Sequence, residues 1–104
     1  MITALVLAAG ASRRMGDRNK LLLPFRGRPL VEHVVRTVLA ARVGEVVVVL
    51  GHEAERVRDA LCTLPVTFAH NEHFEEGLTT SIHAGLAAAS PEATGYLICL
   101  SDLP

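Results

Sequence analysis

The chain has 104 residues, half of them apolar and a fifth charged, which suffices for one compact domain and not for two. A formal net charge of -1 and an aromatic content of 4% argue against a general nucleic-acid binder, and no apolar run approaches the ~20 residues of a membrane span. The first ten residues carry no positive leader segment, and Cys62 and Cys99 have no ligand or disulfide-framework spacing, so the sequence predicts a cytoplasmic protein with two reduced core thiols.

Ile2 to Ala8 is an almost unbroken apolar run, too short for a helix and rich in branched side chains, and reads as a strand buried on both faces. Pro29 to Ala41 then places Leu30, Val31, Val34, Val35 and Val38 on one helical stripe, with Glu32, His33, Arg36 and Thr37 opposite. Pro29 suits the first turn of that helix, and Gly44 follows its end. Val46 to Leu50 reads as a second strand, Glu53 to Leu61 as a second helix, and Val66 to Ala69 as a third strand. Leu78 to Ala89 reads as a third helix and Tyr96 to Leu100 as a fourth strand. Strands alternating with helices at this spacing predict right-handed crossovers and an open α/β sheet with helices on both faces. Ligands of such sheets bind beyond the carboxyl ends of the strands, where the strand order reverses. The segments after the first and fourth strands are therefore the places to search.

The near-neutral total hides an asymmetry. Residues 1–28 carry Arg13, Arg14, Arg18, Lys20, Arg26 and Arg28 against Asp17 alone, whereas the remainder is net acidic. The cations cluster around Ala8-Ala9-Gly10-Ala11-Ser12-Arg13-Arg14-Met15-Gly16, a loop directly after the first strand. Its glycines match neither the dinucleotide fingerprint nor the Walker A spacing. Gly10 and Gly16 still permit the backbone conformations from which successive N–H groups form an anion-binding concavity, with Ser12, Arg14 and Lys20 available to a polyphosphate. A tight, solvated connection accounts for the same spacing equally well.

Leu-Ala-Ala-Gly-x-Ser-x-Arg-Met-Gly, then Asn19-Lys20-Leu21-Leu22-Leu23-Pro24 and Gly27-x-Pro29-Leu30-Val31, resembles the opening signature of the MobA-like nucleotidyltransferases. Within that group it is most similar to the molybdenum cofactor cytidylyltransferases. The resemblance continues through Gly51-His52, Asn71, Gly77-x-x-x-Ser81 and Ser101-Asp102-Leu103-Pro104. It implies a Rossmann-like, mostly parallel sheet of the nucleotide-diphospho-sugar transferase type, of which residues 1–104 form the N-terminal, nucleotide-binding half.

The implied reaction is attack by an acceptor phosphate on the α-phosphate of a nucleoside triphosphate, a step that needs positioning and charge neutralisation and no enzyme nucleophile. Carried over residue by residue, Leu7, Ala8, Ala9 and Gly10 hold the base and ribose side, and Ser12 adds a hydroxyl. Arg14 and Lys20 are the implied catalytic cations on the phosphates, and Asp102 is the implied Mg²⁺ ligand. Asn71 and Ser81 are implied nucleotide contacts. The family more often has Gly-Asp-Met-Pro at the last motif, so Ser101 and Leu103 are departures. Guanylyl-transferring relatives commonly read Leu-Ala-Gly-Gly, and Ala9 in place of a glycine favours CTP over GTP. The implied acceptor is the terminal phosphate of molybdopterin.

Two other readings belong beside this one: a cytidylyl- or uridylyltransferase acting on a sugar or polyol phosphate, and a non-catalytic nucleotide-binding module. His70 and His73, with Glu72, Glu75 and Glu76 around them, have a spacing too short for a zinc site without further ligands. Glu53, Glu55, Arg56, Arg58 and Asp59 read as the solvated face of the second helix. The chain ends just beyond its fourth strand, and if that strand lies beside the first it forms an apolar open edge through which another chain could associate.

Overall fold

The computed structural model describes residues 1–8, 24–51, 54–73, 76 and 78–100. Ile2–Ala8 forms β1, whose side chains are buried from Thr3 onward, as a strand without a polar face must be. Along the chain follow β2 (Pro24–Phe25), β3 (Arg28–Pro29), α1 (Leu30–Ala40), β4 (Glu45–Leu50), α2 (Ala54–Leu61), β5 (Thr67–His70), α3 (Leu78–Ala88) and β6 (Gly95–Leu100). Four strands make one sheet in the order β5-β4-β1-β6, with every neighbouring pair parallel. The chain thus winds outward from β1 through β4 to β5, then crosses back to lay β6 against the other side of β1. That reversal is the switch point expected of a doubly wound sheet.

Period-two alternation sorts the apolar strand residues between two layers. Ala4, Val6 and Ala8 of β1, with Val46, Val48 and Leu50 of β4, pack against Val31, Val35 and Val38 of α1 and Val57 and Leu61 of α2. Leu5, Leu7, Val47, Val49 and Ala69 face the opposite way, where Ile82, Ala84 and Ala88 of α3 cover them. Gly85 lets α3 approach closely: a Cβ there would stand 3.0 Å from Val49 Cγ2 and 3.2 Å from Leu5 Cδ2. The solvated face expected of the second helix is seen at Glu55, Arg56, Arg58 and Asp59, while Glu53 lies outside the described residues.

The amino ends of the strands are tied by Glu45, whose Oε1 accepts from Thr3 Oγ1 at 3.0 Å and from the Ser90 N–H at 2.9 Å. Thr94 closes the same end, donating its N–H to the Met1 carbonyl at 2.7 Å. These contacts stand away from the carboxyl ends and act on the scaffold.

Three features differ from the sequence reading. A small hairpin, β2 paired antiparallel with β3, precedes α1 and turns through Arg26 at φ 53° and Gly27 at φ 84°. Two-residue strands are too short to show a period, and the signal is the Arg26-Gly27 pair, since a tight hairpin turn of this kind needs positive φ at both central residues. Pro29 stands as the N-cap before α1 rather than within its first turn, and the helix reverses at Arg42, φ 59°, two residues before Gly44. Cys62 is exposed and not a core thiol, because it follows the last buried residue of α2, Leu61, in the turn beyond the helix. Cys99 packs against the α1 and α2 layer, and burial pushes its thiol above the ordinary range.

At the other end of the sheet, β6 has only β1 as a partner among the described residues, and Tyr96, Leu97 and Ile98 are 49, 46 and 41% exposed. The apolar edge expected of the fourth strand is therefore present.

Candidate functional site

The carboxyl ends of the four parallel strands lie in a row. Leu7 is the register partner of Leu100, Ala8 of Leu50, and Leu50 of His70. One residue past β5, the Asn71 N–H donates to the Leu50 carbonyl at 2.6 Å and extends the ladder by one rung. The strand order reverses between β4 and β6 on either side of β1, so the ends of β1 and β6 flank the crevice where α/β sheets bind ligands.

Of the residues expected at the site, Leu7 and Ala8 are buried at the end of β1 with side chains in opposite core layers. Both side chains are committed to packing. Ala9, Gly10, Ser12, Arg14, Lys20 and Asp102 lie outside the described residues, as do Gly77, His52 and Glu75.

Asn71 and Ser81, ten residues apart, are brought into direct contact. Asn71 is 3% exposed and Ser81 5% exposed, so each polar group needs a partner within the protein. Asn71 Nδ2 donates to Ser81 Oγ at 2.9 Å and to Thr80 Oγ1 at 3.0 Å. Its Oδ1 accepts the His73 N–H at 2.9 Å, the side-chain-to-backbone bond two residues on that makes Asn a turn former. Thr80 Oγ1 in turn donates to the His73 carbonyl at 2.9 Å. The turn after β5 and the first turn of α3 are thereby one hydrogen-bonded piece. Thr80 was not among the residues singled out in the sequence; the available signal was its hydroxyl in the opening turn of a helix, next to Ser81, where such groups bond the local backbone.

Beside this network is an open cavity of about 420 Å³ lined by His70, Asn71, Glu72, His73, Thr80, His83 and Ala84. His73 Nδ1 stands 2.6 Å from Glu76 Oε2 on the surface. The His70-x-x-His73 pair does reach one cavity, yet among the described residues no group of three His, Cys, Asp or Glu side chains is arranged to hold a metal ion. Among those residues, too, no helix is long and apolar enough to cross a membrane.

An open parallel sheet with helices on both faces, its strand order reversing at β1, defines a doubly wound α/β fold, of the kind that binds ligands beyond the carboxyl ends of its strands. Residues 4–104 match the family described as the MobA-like NTP transferase domain, and the chain belongs to that family. Among solved structures it is similar to a nucleotidyl transferase from Methanothermobacter, with a TM-score of 0.86 and 35% identity over 100% of this chain and 51% of that one. It is also similar to Rv0371c from Mycobacterium tuberculosis, with a TM-score of 0.84 and 33% identity over 97% of this chain and 51% of that one. A structure of Rv0371c in complex with manganese matches at a TM-score of 0.79. A curated relative named nicotine blue oxidoreductase, from Paenarthrobacter nicotinovorans, is 40% identical over 99% of this chain and 50% of its own length. Bifunctional protein GlmU from Cupriavidus pinatubonensis is 46% identical over 64% of this chain and 15% of its own. The chain thus spans half the length, or less, of these curated relatives.

Proposed function

We propose that the protein transfers a cytidylyl group from CTP to the terminal phosphate of a molybdopterin-type cofactor. An oxygen of the acceptor phosphate attacks the α-phosphorus, the bond to the β-phosphate oxygen breaks, and pyrophosphate leaves. The observation that carries this reading is the pairing of Leu7 with Leu100. Ala8-Ala9-Gly10 continues in sequence from one of these residues and Ser101-Asp102 from the other, so the two motifs leave the sheet from adjoining strands. Adjoining strand ends at a switch point support a shared nucleotide site.

In this reading the backbone after Leu7 holds the base and ribose, with Ser12, Asn71 and Ser81 adding polar contacts, and Arg14 and Lys20 neutralise phosphate charge as it shifts toward the leaving group. Lys20 is assigned to the α-phosphate. Asp102 has the hard oxygen donors that suit Mg²⁺, an ion that takes one or two carboxylates alongside phosphate and water. When bound, the ion supplies further neutralisation of phosphate charge. The two free thiols support a reducing, cytoplasmic setting. Base and acceptor rest on the opening loop, since the curated relatives carry several different names.

The likeness to a protein named as an oxidoreductase favours a second reading, in which the same crevice holds a nucleotide-containing redox cofactor. It stands second because Gly10 and Gly16 lack the dinucleotide spacing. Calorimetric titration with CTP, GTP and NADH, each with and without Mg²⁺, separates the two. Mg²⁺-dependent binding that favours CTP supports the transferase reading, and preference for NADH overturns it.

A further inference from the structure

We draw no further inference here: the strongest candidate, the apolar edge of β6, where Tyr96, Leu97 and Ile98 are exposed and β1 is the one paired strand among the described residues, carries nothing because nothing in the structure shows what covers it.

Discussion

Asn71 Nδ2 lies 2.9 Å from Ser81 Oγ, joining the end of β5 to the first turn of α3 by a buried hydrogen bond that spans ten positions of sequence. With the Asn71 N–H on the Leu50 carbonyl at 2.6 Å, the same residue also anchors this turn to β4. The turn after β5 is in this way fixed both to the sheet and to α3.

Asn71→Ala removes three side-chain hydrogen bonds and leaves the buried Ser81 hydroxyl without its Asn71 partner. The expected loss is about 2–3 kcal/mol of folding stability, because a donor or acceptor left unpaired in the interior costs more than a net hydrogen bond contributes. Urea unfolding monitored by circular dichroism checks it, and a change below half a kcal/mol would remove the turn from the folded framework.

Gly85→Val sets a branched side chain into the space between α3 and the Leu5 and Val49 side chains, both fully buried. The expected destabilisation is about 1–3 kcal/mol, the usual range for overpacking a filled core. Gly85→Ala should come closer to neutral, since helix propensity gains about 1 kcal/mol against a milder clash. Parallel thermal melts of the two variants distinguish a tight helix-to-sheet contact from a position that tolerates any side chain.

Arg42 holds φ 59° just past the end of α1, a conformation that an L side chain adopts at a cost and glycine adopts freely. Arg42→Gly should therefore stabilise the protein by about 0.5–1 kcal/mol net of glycine's larger unfolded-state entropy. A rise in midpoint temperature is the expected observation.

For the nucleotide site, Lys20→Ala should weaken CTP binding with or without Mg²⁺, whereas Asp102→Ala should chiefly abolish the difference that Mg²⁺ makes. Calorimetry with both variants reads the two effects separately. If neither substitution alters binding, the assignment of cations and carboxylate is wrong even though family membership stands.

The two thiols should differ in reactivity. Cys62 is exposed, while burial raises the Cys99 pKa, so iodoacetamide near pH 8 should label Cys62 first and Cys62→Ser should remove the fast phase. Because folded Cys99 keeps its proton to a higher pH than the unfolded chain does, its contribution to stability is whole below the ordinary thiol pKa and declines as pH rises through the raised one. Stability measured across the alkaline range should fall less steeply in Cys99→Ala.

The long elements were legible because their cause is local. A fully apolar run such as Ile2–Ala8 has no stable alternative to burial on both faces, and the stripe of Val31, Val35 and Val38 repeats at the helical period. Adjacency of the first and fourth strands was only a condition in the sequence reading, and the structure supplies it as the Leu5 and Ile98 pairing. The hairpin of β2 and β3 had no period to show. Its evidence was a single turn pair, Arg26-Gly27.

By itself, the sequence determined the order of elements and the two-faced burial of β1 and β4, and it offered Asn71 and Ser81 as candidates at the carboxyl edge. Tertiary structure alone decided what those residues do to one another. Whether Asn71 meets solvent, Ser81 or Thr80 depends on where α3 lands on the sheet, and that placement is set by the close packing of Gly85 against Leu5 and Val49. Hydrogen-bond partners separated by ten positions leave no periodic trace in sequence, because the bond is made by the packing of two elements and not by either one.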